Sequence, residues 1–335
     1  MKKAIVAALA AGALVLSGCA KTEVTEVSDS RAISFSNFVT SSVKSIDGLG
    51  GLEAFYVYGG YEGNWALFNN QKVTKSGTEW VYTPTRYWNA NEKYWYAAYS
   101  NNNDEVNVSD RVFDPATHHL SFTFQNFDHI NADLIYASAG ASEGLSWNGT
   151  DVPEDVPFTF RHILSQVNFQ FTKAADLNGM NLAVSDITVN ANLQGKFTGR
   201  EITEGQYPLD CWSDWGTPTD FDYPEVVLNE DNQTVTVNRV MVPQSIVGYT
   251  VTFNVTYAQL NEDGSINNDE TRVREFSVDI EGTEGNVWNP GYIYTYKATI
   301  AAENLELTPI VFDVVGVEQW ADEDVTLDVP VGNEI

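Results

Sequence analysis

Hydrophobic and polar residues alternate along much of this chain with a period of two. In the segment 250–258, Val251 and Phe253 alternate with threonine and asparagine, which puts the apolar side chains on one face of a β-strand. The segment 272–280 repeats the alternation, and the intervening residues 261–270 contain an Asp-Gly pair that is typical of turns. These residues are predicted to form an antiparallel hairpin.

Similar runs of β-branched and aromatic residues recur along the chain. They predict strands at 33–39, 52–58, 80–83, 94–99, 120–124, 134–138, 162–172, 184–190, 234–238, 292–300 and 309–315. Turn-forming residues separate the runs, and no segment beyond residue 18 carries apolar residues at helical spacing. Many short strands over this length predict an all-β protein of two tandem Greek-key β-sandwiches. The acidic, proline-containing segment 150–157 suggests a boundary, which gives domains at 33–157 and 158–335.

The N-terminus has the features of an export signal. Lys2 and Lys3 precede an apolar stretch at 4–16, which is shorter than the ~20 residues that a membrane-spanning helix needs. Residues 1–18 are therefore predicted to be a signal peptide. They end in Leu-Ser-Gly before Cys19, an order that resembles the lipobox of bacterial lipoproteins and implies a lipid on Cys19. The polar, acidic residues 19–32 would then form a tether between the outer membrane and the folded body.

Composition and charge narrow the choice of partners. The chain of 335 residues is 43% hydrophobic and 13% aromatic, which is enough apolar material for packed cores. Its 46 acidic residues exceed its 18 basic residues, and the formal net charge is -28. Such a surface repels phosphate backbones, so nucleic acid is excluded as a partner. With Cys19 assigned to the lipid, Cys211 is predicted to be a buried apolar residue without a disulfide.

The sequence lacks the motifs on which enzymes depend. The four histidines, His118, His119, His129 and His162, do not occur at the spacing of a metal site and are assigned structural roles. There is no nucleophile elbow, no glycine-rich phosphate loop and no dinucleotide fingerprint. The acidic segment 261–270 lacks the ligand order of a calcium-binding EF-hand. We therefore expect a protein without catalytic activity, metal or cofactor.

The aromatic residues of the first half allow two interpretations. Four tryptophans and five tyrosines between residues 65 and 99 either fill a core or form a platform on which a sugar stacks. Trp95 and the alternating tyrosines around it are assigned to the core. Trp88 lies in a polar, turn-like stretch, so it is predicted to be exposed and is the candidate glycan contact.

Several segments, in this order, resemble the fimbrillins, which build type V pili on certain Gram-negative anaerobes. The resembling segments are the lipobox, 33–39, 52–58, 82–100, 160–171, 240–246, 287–300 and Trp320. The resemblance implies transthyretin-like β-sandwiches and a structural or adhesive subunit of a pilus. It also implies three kinds of partner: other pilus subunits, the outer membrane through the lipid anchor, and a host or bacterial surface glycan or protein.

The resemblance further implies assembly by strand exchange. In this family a trypsin-like protease cuts after a basic residue in the loop that follows the first strand, and loss of that strand opens a groove. Lys44 is the basic residue at this place, where better-known members carry arginine. Arg31 precedes the strand, so a cut there would release the lipid without opening a groove. A strand from another subunit would fill the groove, supplying backbone hydrogen bonds and apolar contacts together.

The C-terminal residues are the candidate donor strand for such an exchange. Val325, Leu327, Val329 and Val331 occupy alternate positions, as the inward face of a strand requires. The segment 325–331 either pairs within its own sandwich or fills the groove of a neighbour. The sequence also leaves open a protein of another class, a monomeric glycan-binding lipoprotein that stays on the outer-membrane surface.

Overall fold

The computed structural model describes residues 31–39, 52–101, 108–126, 133–202, 204–230, 233–280, 285–306 and 309–319. Nearly all regular structure in these ranges is β-strand, and the one α-helix within them is α1 (Ala302–Glu306). The all-β fold predicted from the alternating pattern is therefore confirmed. The Greek-key connections of two tandem sandwiches stay a prediction.

The strands follow one another closely along the chain. In the first half they are β1 (Phe35–Val39), β2 (Ala54–Tyr61), β3 (Asn64–Ser76), β4 (Glu79–Val81), β5 (Lys93–Ser100), β6 (Val108–Asp114), β7 (His119–Gln125), β8 (Ile135–Ala139), β9 (Leu145–Ser146) and β10 (Val156–His162). In the second half they are β11 (Ser165–Lys173), β12 (Met180–Ala191), β13 (Gln194–Thr198), β14 (Trp212–Ser213), β15 (Thr219–Asp222), β16 (Val226–Leu228), β17 (Thr234–Met241), β18 (Gln244–Ser245), β19 (Thr250–Gln259), β20 (Arg272–Asp279), β21 (Val287–Trp288), β22 (Tyr292–Ile300) and β23 (Asp313–Gln319).

The largest sheet, sheet I, has the strand order β1-β10-β8-β5-β2-β3-β4, with β9 beside β5. Its central strands are buried on both faces, which explains why β2 is apolar almost throughout. Phe55 and Val57 of β2 belong to one hydrophobic core, core A, whereas Tyr56 and Tyr58 belong to another, core B. The two faces of sheet I therefore pack against two different hydrophobic cores.

Core B is completed by a smaller sheet, sheet II, with the order β14-β13-β7-β6. Strand β7 comes from the first half of the chain and β13 from the second, and Phe197 of β13 stands opposite Phe122 of β7. Trp212 of β14 is 2% exposed in the same core. Cys211 is buried and free there, as predicted. The division near residue 157 stays a proposal, to which the structure adds that β13 and β14 of the second half form a sheet with β6 and β7 of the first half.

The remaining strands of the second half form two sheets around a third core, core C. Sheet III has the order β17-β11-β22-β23, and sheet IV has the order β15-β12-β19-β20 with β16 beside β12. The predicted hairpin is confirmed, because β19 and β20 pair antiparallel with Val251 opposite Val278 and Phe253 opposite Phe276. A separate two-stranded sheet joins β18 to β21.

Candidate functional site

The first described segment, residues 31–39, is held on two sides. Ala32 forms a β-bridge with Tyr87, and the amide of Ile33 donates to the carbonyl of Arg86 at 2.8 Å. Further along the segment, β1 runs parallel to β10 at the edge of sheet I. The segment therefore connects the edge of sheet I with the loop that follows β4.

Phe35 anchors this segment in core A. Its side chain is 4% exposed, and its ring stacks on that of Phe158 with the centroids 5.7 Å apart. It makes edge contacts with Phe55, Phe68 and Tyr82 at centroid distances of 5.8, 5.5 and 5.6 Å. Phe158 lies on β10 and Phe68 on β3, near opposite edges of sheet I. The sheet therefore curls around Phe35, which fills the space between its edges.

Polar contacts fix the position of the segment along β10. The carbonyl of Ser34 accepts a hydrogen bond from the amide of Val156 at 2.8 Å, and the Ser34 hydroxyl donates to the carboxylate of Asp155. The carbonyl of Ile33 accepts from the Tyr82 hydroxyl at 2.6 Å, while the Ile33 side chain is 1% exposed. The residues Ile33, Ser34 and Phe35 therefore supply both the buried apolar side chains and the hydrogen bonds that fix the position of the segment.

The Tyr82 contact makes docking of the segment sensitive to alkaline pH. Burial raises the pKa of Tyr82 from 10.0 to about 12, so this group stabilises the folded state fully below pH 10 and loses its contribution between pH 10 and 12. Below pH 10 the parent should be more stable than Tyr82→Phe by about 1 kcal/mol, the net value of a hydrogen bond. As the pH rises from 10 to 12, the advantage of the parent in unfolding free energy should shrink and then change sign, because the unfolded chain ionises this tyrosine while the folded parent must keep it protonated. Subtracting one protein from the other removes the contribution of the other buried tyrosines. A gap that stays constant up to pH 12 would contradict the assignment.

The proposed processing and donor residues lie mostly beyond the described ranges. Outside them are Cys19, Lys44, Val325, Leu327, Val329 and Val331. Arg31 is described, is partly exposed, and accepts a hydrogen bond from the amide of Trp88 at its carbonyl, at 3.0 Å. The last described strand, β23, forms the edge of sheet III beside β22. The roles assigned to these residues stay predictions.

Trp88 is 4% exposed, so the prediction that it is exposed is wrong. Its ring meets those of Tyr94 and Tyr96 edge-on, with the centroids 4.6 and 6.3 Å apart. The backbone bond to Arg31 explains the burial, because it draws this polar stretch onto the N-terminal segment. Since Trp88 also borders a surface cavity, a part in glycan binding stays a proposal.

Trp95 differs from its neighbours on β5. Tyr94 and Tyr96 are buried as predicted, but Trp95 points to the other side of the strand and is only half-buried. Its ring stacks on that of His118 with the centroids 4.0 Å apart and the planes 13° from parallel. Burial lowers the pKa of His118, so the imidazole is neutral near pH 7 and packs as an aromatic ring. This is a structural role, as the sequence predicted.

His162 also has a structural environment. It ends β10, is 8% exposed, and has its Nδ1 atom 2.9 Å from the Oδ1 atom of Asp133. Among the described residues, no three His, Cys, Asp or Glu side chains are grouped in a way that could hold a metal ion. The same part of the chain contains no helix with the length and hydropathy of a membrane span.

The sequence of residues 53–320 matches the profile of a known family, described as Fimbrillin-like. This chain belongs to the fimbrillin-like family. The matched range runs from the residue before β2 to the residue after β23, so it includes cores B and C and all of core A except Ile33, Phe35 and Leu52. The resemblance that the lipobox and the aromatic segments indicated is therefore confirmed. No curated protein sequence matches the chain.

Solved structures resemble this fimbrillin-like chain as well. A fimbrial protein from Bacteroides vulgatus ATCC 8482 superposes with a TM-score of 0.57 and 16% identity, covering 87% of this chain and 100% of that one. A fimbrial anchor protein from Porphyromonas gingivalis aligns with a TM-score of 0.39 and 11% identity, over 87% of this chain and 98% of its own. At 16% identity, the first comparison shows a common fold.

Proposed function

We propose that this fimbrillin-like protein is a cell-surface subunit of a pilus, structural or adhesive, and not an enzyme. The observation that carries the proposal is the position of β1. It is an edge strand whose ladder partner is β10, yet its segment places Ile33 and Phe35 inside core A. Two such buried side chains contribute ~1.5–3 kcal/mol each.

Removal of this segment would open a groove that another strand can fill. The edge of β10 would lose its parallel partner, and the aromatic ring cluster around Phe35 would lose its centre. A strand that restores both the backbone ladder and the apolar side chains would regain the lost free energy. This is the physical basis for assembly by strand exchange.

Cleavage after Lys44 is the processing step that suits this geometry. Lys44 lies between β1 and β2 in the sequence, so a cut there breaks the covalent link between the whole segment 31–39 and the other strands of sheet I. A cut after Arg31 would leave Ile33 and Phe35 in core A, and the groove would stay filled. Lipid attachment at Cys19 would hold the precursor on the outer membrane before this step.

The proposed donor is the segment 325–331. It follows β23, the edge strand of sheet III, and carries four apolar side chains at alternate positions. Burial of such side chains at ~1.5–3 kcal/mol each, together with the ladder hydrogen bonds, would offset the cost of association and give slow dissociation. Ile33 and Phe35 mark the two places in core A that this segment would occupy in a neighbouring subunit.

Strand exchange can be tested on the Cys19→Ala variant, which should leave the membrane fraction if the cysteine carries the lipid. We expect limited trypsin treatment to cut after Lys44, and the cut protein to form a ladder of oligomers in unheated detergent gels that collapses on boiling. N-terminal sequencing of the oligomers should begin at Ser45. Oligomers whose subunits retain residues 20–44 would contradict the mechanism.

Two matched variants separate processing from donation. Lys44→Gln should resist the cut at this position and remain monomeric under the same treatment. Deletion of residues 325–335 should leave a protein that accepts a strand without donating one, so that it caps the polymers of the intact protein. Polymerisation unaffected by the deletion would remove the donor assignment, and loss of folding would favour pairing within the same sandwich.

A second candidate function is a monomeric glycan-binding lipoprotein of the outer-membrane surface. One feature favours it, a cavity on the surface of the first half of the chain that is lined by Trp147 and several carboxylates. Under this alternative the protein cut after Lys44 would remain monomeric.

A further inference from the structure

A half-open cavity of about 470 Å³ lies beside the N-terminal segment. Its walls come from the stretch 88–93, from β9, and from the loop 147–155 that leads into β10. The volume falls in the range of ~300–1,000 Å³ that is usual for small-molecule sites. The cavity is therefore large enough for a ligand and shallow enough to be reached from outside.

Hydrogen bonds within the loop 147–155 hold the outer wall in one shape. The side-chain oxygen of Asn148 accepts from the amides of Thr150 and Asp151 at 2.9 and 3.2 Å, and its Nδ2 atom donates to Asp151 Oδ2 at 2.7 Å. The indole of Trp147 donates to the carbonyl of Asp151 at 2.5 Å. A further bond, from the amide of Asn91 to the carbonyl of Trp147 at 2.8 Å, fastens the loop to the opposite wall.

Gly149 is required at the tip of this loop for two reasons. Its φ of 88° lies in the left-handed region that favours glycine. A Cβ atom there would also stand 2.9 Å from the Cβ of Ala90, on the opposite wall. The two walls are thus packed together at their base, and the cavity does not depend on a mobile closure.

The lining combines an apolar surface with hydrogen-bonding groups. Trp147 and Val152 supply part of the apolar surface, and Asp151, Glu154 and Asp155 supply carboxylates. Such a surface can pack against the C–H face of a sugar ring while the carboxylates accept hydrogen bonds from its hydroxyl groups. The lining therefore suits a polyhydroxylated ligand that has both apolar and polar faces.

The charge of the lining restricts the ligand further. Three carboxylates face one ammonium group, that of Lys93, which also lies 3.6 Å from the carboxylate of Glu143. An anionic sugar or a phosphate would meet net repulsion. The described residues also hold no cluster of three or more metal-ligating side chains. A neutral saccharide remains the ligand class that fits the size, polarity and charge of the cavity.

Trp88 adds an independent observation at the same place. It lines the cavity although it is 4% exposed, and its Nε1 atom is buried without a hydrogen-bond partner within the described chain. A buried donor left unpaired costs about 1–3 kcal/mol, so native cores rarely keep one. The wall of the cavity therefore includes a residue with an unpaired buried donor.

We infer that this cavity binds a neutral saccharide, with Trp147 as the stacking surface and the carboxylates of Asp151, Glu154 and Asp155 as acceptors for its hydroxyl groups. The inference rests on the adhesive form of the proposed function and names its ligand class. Asp155 is also bonded to Ser34, so the N-terminal segment helps to orient one of the acceptors.

The test is titration of the full-length protein with a panel of neutral hexoses, N-acetylhexosamines and their disaccharides, followed by calorimetry and tryptophan fluorescence. At least one neutral saccharide should bind, and Val152→Arg should weaken its binding at least tenfold by filling the cavity. Val152 is 75% exposed, so the substitution should leave the fold intact. The matched control is Val247→Arg, at a valine that is 70% exposed and lies outside the cavity lining.

Three outcomes would overturn the inference: no neutral saccharide binds, Val152→Arg binds as well as the parent, or sialylated sugars or basic peptides bind in preference. Polymerisation of the Val152→Arg protein after trypsin treatment is measured as well. This measurement distinguishes failure of the ligand site from failure of the proposed function. Intact polymerisation with no saccharide binding would reject the ligand site alone. Saccharide binding without polymerisation would reject strand exchange and leave the ligand site standing.

Discussion

Replacing Phe35 with alanine is expected to loosen the N-terminal segment from sheet I by about 3–5 kcal/mol, the usual cost of deleting a buried phenylalanine ring. The loss is large because Phe35 contacts aromatic rings on both β10 and β3. A change of this size raises the opening equilibrium constant by a factor of at least ~10². Hydrogen exchange at the amide of Val156, which donates to the carbonyl of Ser34, measures this opening equilibrium directly.

The conservative variant Phe35→Leu provides the comparison. Leucine keeps much of the apolar volume, so we expect a smaller loss, about 1.5 kcal/mol. Amides of β19 in core C should exchange at the parent rate in both variants. Unchanged exchange at Val156 in the alanine variant would mean that β1 is not anchored by its ring.

Replacing Trp212 with alanine should destabilise core B by about 3–5 kcal/mol, although the residue belongs to the second half of the chain. Its ring packs on Phe197 with the centroids 5.4 Å apart, and its Nε1 atom donates to the carbonyl of Ile163 at 2.9 Å. The substitution removes both the packing and the donor to a buried carbonyl. Urea unfolding followed by hydrogen exchange at β5 and β7 should show the loss.

Trp215 offers a matched control for this substitution. It lies three residues further along, is 39% exposed, and donates its Nε1–H to the carbonyl of Pro243 at 2.9 Å. Trp215→Ala removes the same side chain and a similar bond, but we expect a cost of about 1 kcal/mol because the ring is partly solvated. Equal losses of unfolding free energy in the two variants would show that Trp212 contributes no more to core B than a partly exposed tryptophan does.

Local patterns in the sequence identified many strands but not the partners of all of them. The hairpin β19–β20 could be predicted because its alternation and its Asp-Gly turn lie close together in the chain. The pairing of β7 with β13 could not, because nothing in either segment specifies a partner so distant in sequence. Strand β3 was missed because much of it faces solvent and its sequence is rich in asparagine and lysine.

The candidate site was predictable only in part for a similar reason. Ile33 and Phe35 alternate as a half-buried strand should, and the structure buries both. Their partner β10 begins in a proline-containing acidic stretch that suggests a linker, and Pro157 lies within it, opposite Ser36 in the outermost pair of sheet I. Strand β10 pairs with β8 only at Arg161 and His162, so no ladder bond from β8 is needed at Pro157 and a proline is tolerated there. The burial of Trp88 likewise depends on a partner, Arg31, that local sequence does not reveal.

The passage of β13 and β14 into sheet II has a consequence for biosynthesis. The chain emerges from its N-terminus, so β2, β5 and β8 are available long before Phe197 and Trp212. Until those two residues arrive, one face of sheet I exposes its tyrosines, and contacts between distant segments form slowly. A newly synthesised chain would therefore expose an apolar surface that can associate with other chains. A holding chaperone that covers this face would prevent such association until residue 213 has been released.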